Sequence, residues 1–357
     1  MDTAADPILM LSDGGEFKEE ISWVDQEGNL AVISLDLVKG LENKRVSFRS
    51  CCNGLLTYQF DRGRQAFLIN PLRQEVMFLR EPPPPEITRR PPKSSYGLGI
   101  GGISGVSKMV FLEPTEAKYK RKWSTRLTAQ VMTLGSSEWR RVENVPNEVF
   151  MSNPVFEKGF IYWLAGKWKS RKLLAFDVEN EVFSTMKCPI KVSHIHDVGG
   201  LVALVFTSRN GLVALVSANN EANGRVCEWK KHGPITVVDG EGKPVAPSSV
   251  MLMGTWKDNT ILLMSFALIK EGNLFFSYDF GSKKLTKVDC PSLQRGLRFE
   301  YYSLRGSSRA MSGFRGRSVP LCLPPGESNN TRRSRLIQKR RVKRARETST
   351  SCDELKS

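Results

Sequence analysis

Residues 173–189 read LLAFDVENEVFSTMKCP and residues 274–291 read LFFSYDFGSKKLTKVDCP. The same phrase stands at 66–83, AFLINPLRQEVMFLREPP, and at 129–146, AQVMTLGSSEWRRVENVP. Each copy runs as an apolar strand, a polar turn, a return strand and a closing proline. Asn70, Leu134, Asp177 and Asp279 each stand twelve residues before that proline (Pro82, Pro146, Pro189, Pro291), and Val76, Trp139, Phe183 or Leu285 starts the return strand. A supersecondary unit that recurs in this way sets the architecture before any single motif does.

Outward from the four copies, alternation of apolar and polar residues dominates from about residue 18 to 290. Leu30 to Leu37, Ala66 to Asn70, Lys108 to Leu112, Ala129 to Leu134, Phe160 to Leu164 and Thr260 to Ala267 read as short strands. Turn signals such as DRGR, GSSE, VENE, TSRNG, DGEG and FGSK recur every 8–15 residues, and no amphipathic helix exceeds about two turns. The tandem GLVALV at 200–205 and 211–216 reads as one hairpin with both strands buried. Asp177 follows Leu134 by 43 residues and Asp279 follows Asp177 by 102, a repeat of about 45. That is the length of a four-stranded propeller blade. The expected fold is therefore all-β, a β-propeller of about six four-stranded blades with five to seven compatible, over residues 15–304. Residues 1–14 stand as an N-terminal segment and 305–357 as a tail.

The chain has 357 residues, 40% hydrophobic and 25% charged, the composition of an ordinary globular protein with a large core. The opening, MDTAADPILMLSDGG, is acidic with a short apolar stretch, so no secretory signal is expected. The most apolar region, Leu201 to Val216, is broken by Ser208-Arg209-Asn210-Gly211, so no membrane helix is expected either. Seven cysteines include no CxxC pair and no histidine partners at zinc spacing. The net charge of +16 is uneven: residues 295–346 hold fifteen Lys or Arg against two Glu, leaving +3 for everything else. From about Arg305 the chain loses periodicity and is rich in Ser, Gly and Arg, a composition that predicts disorder.

Several steps along the chain carry a resemblance. Ser50-Cys51-Cys52-Asn53-Gly54-Leu55-Leu56 resembles the SCNGLL strand of plant F-box-associated domains. Phe67-Leu68-Ile69-Asn70-Pro71 with Arg73-Gln74-Glu75 is similar to that family's NPxTRE step. Tyr96-Gly97-Leu98-Gly99 matches YGFG, Ser137-Glu138-Trp139-Arg140 the SWR step, VFEKGFIYWL at 155–164 the VFVNGALYWL strand, and Leu174-Ala175-Phe176-Asp177 the ILAFDL strand. The order holds from about residue 8 to 304. The resemblance implies a kelch-like β-propeller that recognises a protein substrate for a cullin-type ubiquitin ligase, without catalysis and without a cofactor. In that family an F-box ahead of the propeller docks the Skp adaptor. No F-box pattern is seen in this sequence, so Skp and cullin are expected as indirect partners only.

Other patterns resolve into structural readings. Gly97-Leu98-Gly99-Ile100-Gly101-Gly102 contains GxGxxG, but a strand follows it where a dinucleotide site needs a helix, so a glycine-rich turn at a blade edge is expected. His194 and His196 share one strand face with Asp197 nearby, yet no third ligand is evident. No nucleophile elbow, HExxH or paired-carboxylate pattern points to an enzyme. Asp177 and Asp279 read as turn residues, since Asp closes tight turns through its own side chain. Trp139, Trp163 and Trp229 read as core. Trp123 in the basic loop KYKRKWSTR and Trp168 in GKWKSRK are the expected partner contacts, because aromatics flanked by cations anchor interfaces. Arg332, Arg333, Arg335, Lys339, Arg340, Arg341, Lys343, Arg344 and Arg346 make nine basic residues in fifteen. They read as a nuclear import signal, which favours the nucleus over the cytoplasm, or as a nonspecific, salt-sensitive contact to nucleic acid.

Overall fold

The computed structural model describes residues 8–12, 20–24, 30–34, 46–60, 64–70, 75–84, 94–119, 122–136, 138–148, 152–166, 170–188, 192–198, 201–218, 228–239, 241–256, 260–265, 274–288 and 299–303. They form 24 strands in six four-stranded antiparallel sheets, a β-propeller as the repeats predict. Five sheets use consecutive strands. The first holds β4 (Val46–Cys52), β5 (Leu55–Phe60), β6 (Ala66–Asn70) and β7 (Glu75–Phe78). The second holds β8 (Ser95–Ile100), β9 (Ser107–Tyr119), β10 (Lys122–Thr133) and β11 (Arg140–Val142). The third holds β12 (Val155–Glu157), β13 (Phe160–Ala165), β14 (Lys172–Asp177) and β15 (Val182–Lys187). The fourth holds β16 (His194–Asp197), β17 (Val202–Ser208), β18 (Gly211–Ala218) and β19 (Glu228–Ile235). The fifth holds β20 (Val250–Thr255), β21 (Thr260–Ser265), β22 (Leu274–Asp279) and β23 (Leu285–Val288).

The sixth sheet closes the ring. It joins β24 (Phe299–Ser303) to β1 (Ile8–Ser12), β2 (Glu20–Val24) and β3 (Leu30–Ser34), with Ile8 opposite Ser303 and Ser12 opposite Phe299. Strand β1 thus lies in the stretch 1–14 that the sequence sets apart. Pairing across nearly the whole chain ties both ends of the ring into one ladder. Each repeated phrase proves to be the third and fourth strands of a sheet: β6–β7, β10–β11, β14–β15 and β22–β23. The two GLVALV copies form the hairpin β17–β18, with Ser208 opposite Gly211.

The strands read as continuous apolar runs because neighbouring sheets cover both of their faces. Met109 and Phe111 of β9 pack with Cys52, Leu55 and Leu68 of the first sheet, while Val110 and Leu112 pack with Ile161, Trp163 and Phe176 of the third. In the same way Tyr162, Leu164, Leu173 and Ala175 meet Val202, Leu204 and Leu215, and Ala203 and Val205 meet Leu252, Ile261 and Leu263. Each such aliphatic or Phe side chain contributes roughly 1.5–3 kcal/mol by leaving water. Inner strand lies against inner strand in sequence: β4 by β8, β8 by β12, β12 by β16, β16 by β20 and β20 by β24.

The glycine-rich stretch departs from expectation. Gly97 and Gly99 lie within the inner strand β8, and the turn comes only at Gly101–Ser104. A Cβ on Gly97 would stand 2.7 Å from the Trp163 ring, and one on Gly99 would stand 2.7 Å from Val178 and 2.8 Å from Ile161. The glycines let the third sheet approach, and Trp163 Nε1 donates to the buried Ser95 Oγ at 3.1 Å across the same junction. No phosphate-binding loop is formed.

Candidate partner-binding surface

The connections fall on two faces of the ring. On one, the β8–β9 turn meets the third sheet. Glu179 Oε2 accepts hydrogen bonds from Ile103 N–H (3.2 Å), Ser104 N–H (3.0 Å) and Ser104 Oγ (2.9 Å). These donors hold the Glu179 carboxyl below the usual carboxylate range. Asp177 Oδ1 accepts from the amides of Glu179 (2.9 Å) and Asn180 (3.0 Å), and Asp279 Oδ1 accepts from Ser282 N–H (2.6 Å). Both aspartates therefore do the turn work expected of them.

Beneath this turn, Lys108 Nζ donates to Val178 O at 2.7 Å and pairs with Glu181 at 2.7 Å, and Arg140 adds a two-pronged pair to the same carboxylate. Arg140 and then Lys108 hold the Glu181 carboxyl below its usual range. Ile103 tops the turn at 93% exposure, held out in solvent by the hydrogen bonds below it.

The other face carries the β9–β10 connection and the β13–β14 connection, at the opposite ends of those strands. Here the structure revises the sequence reading of Lys118–Arg126. That stretch is a strand-paired ribbon and not a loop: Trp123 stands opposite Lys118, Thr125 opposite Glu116 and Arg126 opposite Thr115. Tyr119, Trp123 and Thr125 favour extended pairing, and the interleaved lysines hide that signal. The strands β9 and β10 have 13 and 12 residues, yet β8 pairs only with Ser107–Leu112 and β11 only with Ala129–Val131. Residues 113–119 and 122–128 therefore run past both neighbours, about 20 Å of ribbon at ~3.3 Å per residue.

The base of the ribbon is seated on both sides. Arg64 Nη1 pairs with the buried Glu113 at 2.9 Å and its guanidinium stands 5.1 Å from the Phe111 ring centre. On the other side Leu127 is buried in the junction with the third sheet, and Thr128 Oγ1 donates to Glu113 O at 3.0 Å. Arg126, one step on, is exposed. Trp123 keeps its place in β10, whereas Trp168 and the basic residues from Arg332 to Arg346 lie outside the described residues.

Within the ring, burial disfavours the charged forms of several titratable groups. Burial pushes the Cys51 thiol up to about 12, with Asp197 adding to it, and raises Cys52 as well. Such thiols are poor nucleophiles. His194 and His196 share a face as the spacing predicts, ring centres 6.1 Å apart, and burial followed by the His194 charge lowers His196 to about 3. Glu157 of β12 is 5% exposed, accepts Val202 N–H at 2.8 Å and lies 3.3 Å from Ser217 Oγ; burial pushes its carboxyl up to about 7. It clasps the third sheet to the fourth. Among the described residues no group of three or more His, Cys, Asp or Glu is placed to hold a metal ion, and no helix is long and apolar enough to cross a membrane.

Comparison with known proteins places this geometry. The F-box associated β-propeller domain matches residues 21–306. Curated proteins give no match. Among solved structures the chain is similar to TolB from Acinetobacter baumannii (9% identity, TM-score 0.46, 83% of this chain and 65% of that one). It also resembles a chain of a nidogen/laminin complex (9%, 0.45, 82% and 95%) and apo AztD from Citrobacter koseri (12%, 0.42, 83% and 96%). The chain thus spans just under two thirds of TolB, and at this level of likeness none of the three speaks to its function.

Proposed function

This chain belongs to the F-box-associated β-propeller family, and we propose that it is a non-enzymatic binding propeller that recognises a protein substrate for a cullin-type ubiquitin ligase. The family match over residues 21–306 carries the reading. The scaffold supports it: five sheets packed face to face hold connections on two faces, where binding loops of such frameworks sit. Thiols raised well above their ordinary range at Cys51 and Cys52, and a depressed His196, suit a structural interior better than a reaction centre. Trp123 and Trp168 are the proposed aromatic contacts.

Affinity purification of the full chain from a native extract, read by mass spectrometry, tests this. A reproducible set of protein partners is expected, with Skp and cullin subunits scored apart from the rest. Partners lost on substitution of Trp123 and Trp168 to Ala would support those two contacts. A chain that captures nothing above an unrelated propeller of equal charge would overturn the reading.

The tail supports a second role. Nine basic residues between Arg332 and Arg346 suit nuclear import, with nonspecific nucleic-acid contact as the alternative. Replacing Lys339, Arg340 and Arg341 by Ala would move a fluorescent fusion out of the nucleus under the first. Under the second, oligonucleotide binding would fall steeply with salt and vanish on deletion of 331–346.

A further inference from the structure

We propose that the β9–β10 ribbon is a docking arm, on which an acidic, extended segment of a protein partner adds as a third strand along the outer edge of β10 between Lys122 and Thr128. The inference rests on the reading of the chain as a protein-binding propeller and names the chemistry of the partner.

The edge is open for a stated reason. Strand β11 pairs with Ala129–Val131, and continued pairing would carry it along Thr128 and beyond. Instead Asn144 takes a φ of 54° and turns the chain away two residues after Val142. Among the described residues no strand pairs with the far side of β10 from Lys122 to Thr128. A strand edge presents alternating N–H and C=O groups. A second polypeptide matches both; the sugar-phosphate chain of a nucleic acid supplies mostly acceptors.

Charge selects the occupant. Residues 114–128 contain Lys118, Lys120, Arg121, Lys122 and Arg126 against Glu116 alone, a net +4. Glu113, at the base, is already paired with Arg64. Lysines on an edge repel a second copy of the same edge, so self-pairing is disfavoured while an acidic strand is drawn in. The register adds detail. Along β10, Lys122, Ser124, Arg126 and Thr128 alternate with Trp123, Thr125 and Leu127. An added strand with Asp or Glu at every second position matches the spacing of Lys122 and Arg126 along that edge.

The test uses the full chain and a labelled peptide, Glu-Val-Glu-Thr-Glu-Val-Glu, with its Gln and Lys counterparts and a single-stranded oligonucleotide as comparators. The acidic peptide is expected to bind, to weaken with salt, and to lose about tenfold or more in affinity when Lys118, Lys122 and Arg126 are all changed to Glu. Ser124→Pro and Thr125→Pro separate backbone from charge. Adjacent positions point their N–H groups to opposite edges, so one variant keeps the fold and loses the peptide. Absent binding, or binding unmoved by the triple variant, overturns the proposal; the variant keeps 332–346, so capture by the tail would show in that second way. Oligonucleotide binding at the arm stronger than peptide binding overturns it too. If extract partners persist unchanged on the triple variant, the arm is wrong and the binding propeller stands. If the peptide binds the arm while the intact chain captures nothing, the arm stands and the ligase reading falls.

Discussion

At one end of the β8–β11 sheet, the Gly101–Ser104 turn is tied to its neighbour by Glu179, with Lys108 and Arg140 on Glu181 beneath it. At the other end, the β9–β10 ribbon runs on past both strands that pair with it lower down. The two strands are shared, so the contrast comes from what meets each end. The tied end spends its charges inside the molecule, as hydrogen-bonded pairs. The free end keeps Lys118, Lys122 and Arg126 on a two-stranded ribbon whose outer edges no described strand pairs with. If the ribbon is the docking arm proposed above, stability and recognition lie at opposite ends of this sheet, and each can be broken without the other.

The largest effect lies midway between the ends, at the junction both depend on. Trp163→Ala empties the slot that Gly97 leaves for the indole, and is expected to cost about 3–5 kcal/mol in chemical denaturation. A cost below about 1 kcal/mol would mean that the tied turns, and not the buried junction, hold the sheets together.

A control junction sharpens the point. The Glu157 carboxyl sits near 7 in the folded ring against 4.5 as the ordinary value. A raised acid is most compatible with folding below the ordinary value, and that stability is lost as pH rises through about 7. Glu157→Gln removes the slope while its amide still accepts Val202 N–H and donates to Ser217 Oγ. The variant should match wild type near pH 5 and exceed it by on the order of 1–3 kcal/mol at pH 8. Parallel melting curves across that range would expose the idea as wrong.

Lys108 tests the tied end directly. Lys108→Met leaves Val178 O without its donor and Glu181 with Arg140 alone, at an expected cost of about 1–2 kcal/mol. The depressed Glu181 contributes stability above its unfolded value and loses it as pH falls. The wild-type advantage should therefore shrink in acid, and a constant gap from pH 7 to 3 would sink this account.

The sequence carried the outer hairpins well, because the turn chemistry of Asp177 and Asp279 is local and the return strands repeat it. It carried the β17–β18 hairpin for the same reason. It misread Gly97 and Gly99 as a turn, since what demands glycine there is Trp163, 66 residues from Gly97. It gave no sign of the closing ladder between β1 and β24, which depends on residues at opposite ends of the chain. The even repeat of about 45 also blurs in space: inner strands begin at 46, 95, 155, 194 and 250, and the widest interval contains the ribbon. Lysine-rich pairing outside a sheet has no apolar alternation to betray it.

The smallest predicted effect is the one that separates the ends most cleanly. Register puts Ala117 opposite Ser124, so residues 118–123 can be replaced by Asn-Gly, a two-residue connection suited to a right-twisted hairpin. The shortened ribbon keeps Glu113 on Arg64 and Leu127 in its junction, and loses Lys118, Tyr119, Lys120, Arg121, Lys122 and Trp123. If the distal ribbon serves docking and not the fold, its removal should change stability by about 0.5 kcal/mol or less, a shift of roughly 1–2 °C in the melting midpoint for a domain of this size. The acidic peptide should no longer bind. A much larger fall in the midpoint would show that the distal ribbon lies against the ring as a structural element. The two ends would then differ in charge alone, and a binding surface would have to be sought on the connections of the neighbouring sheets.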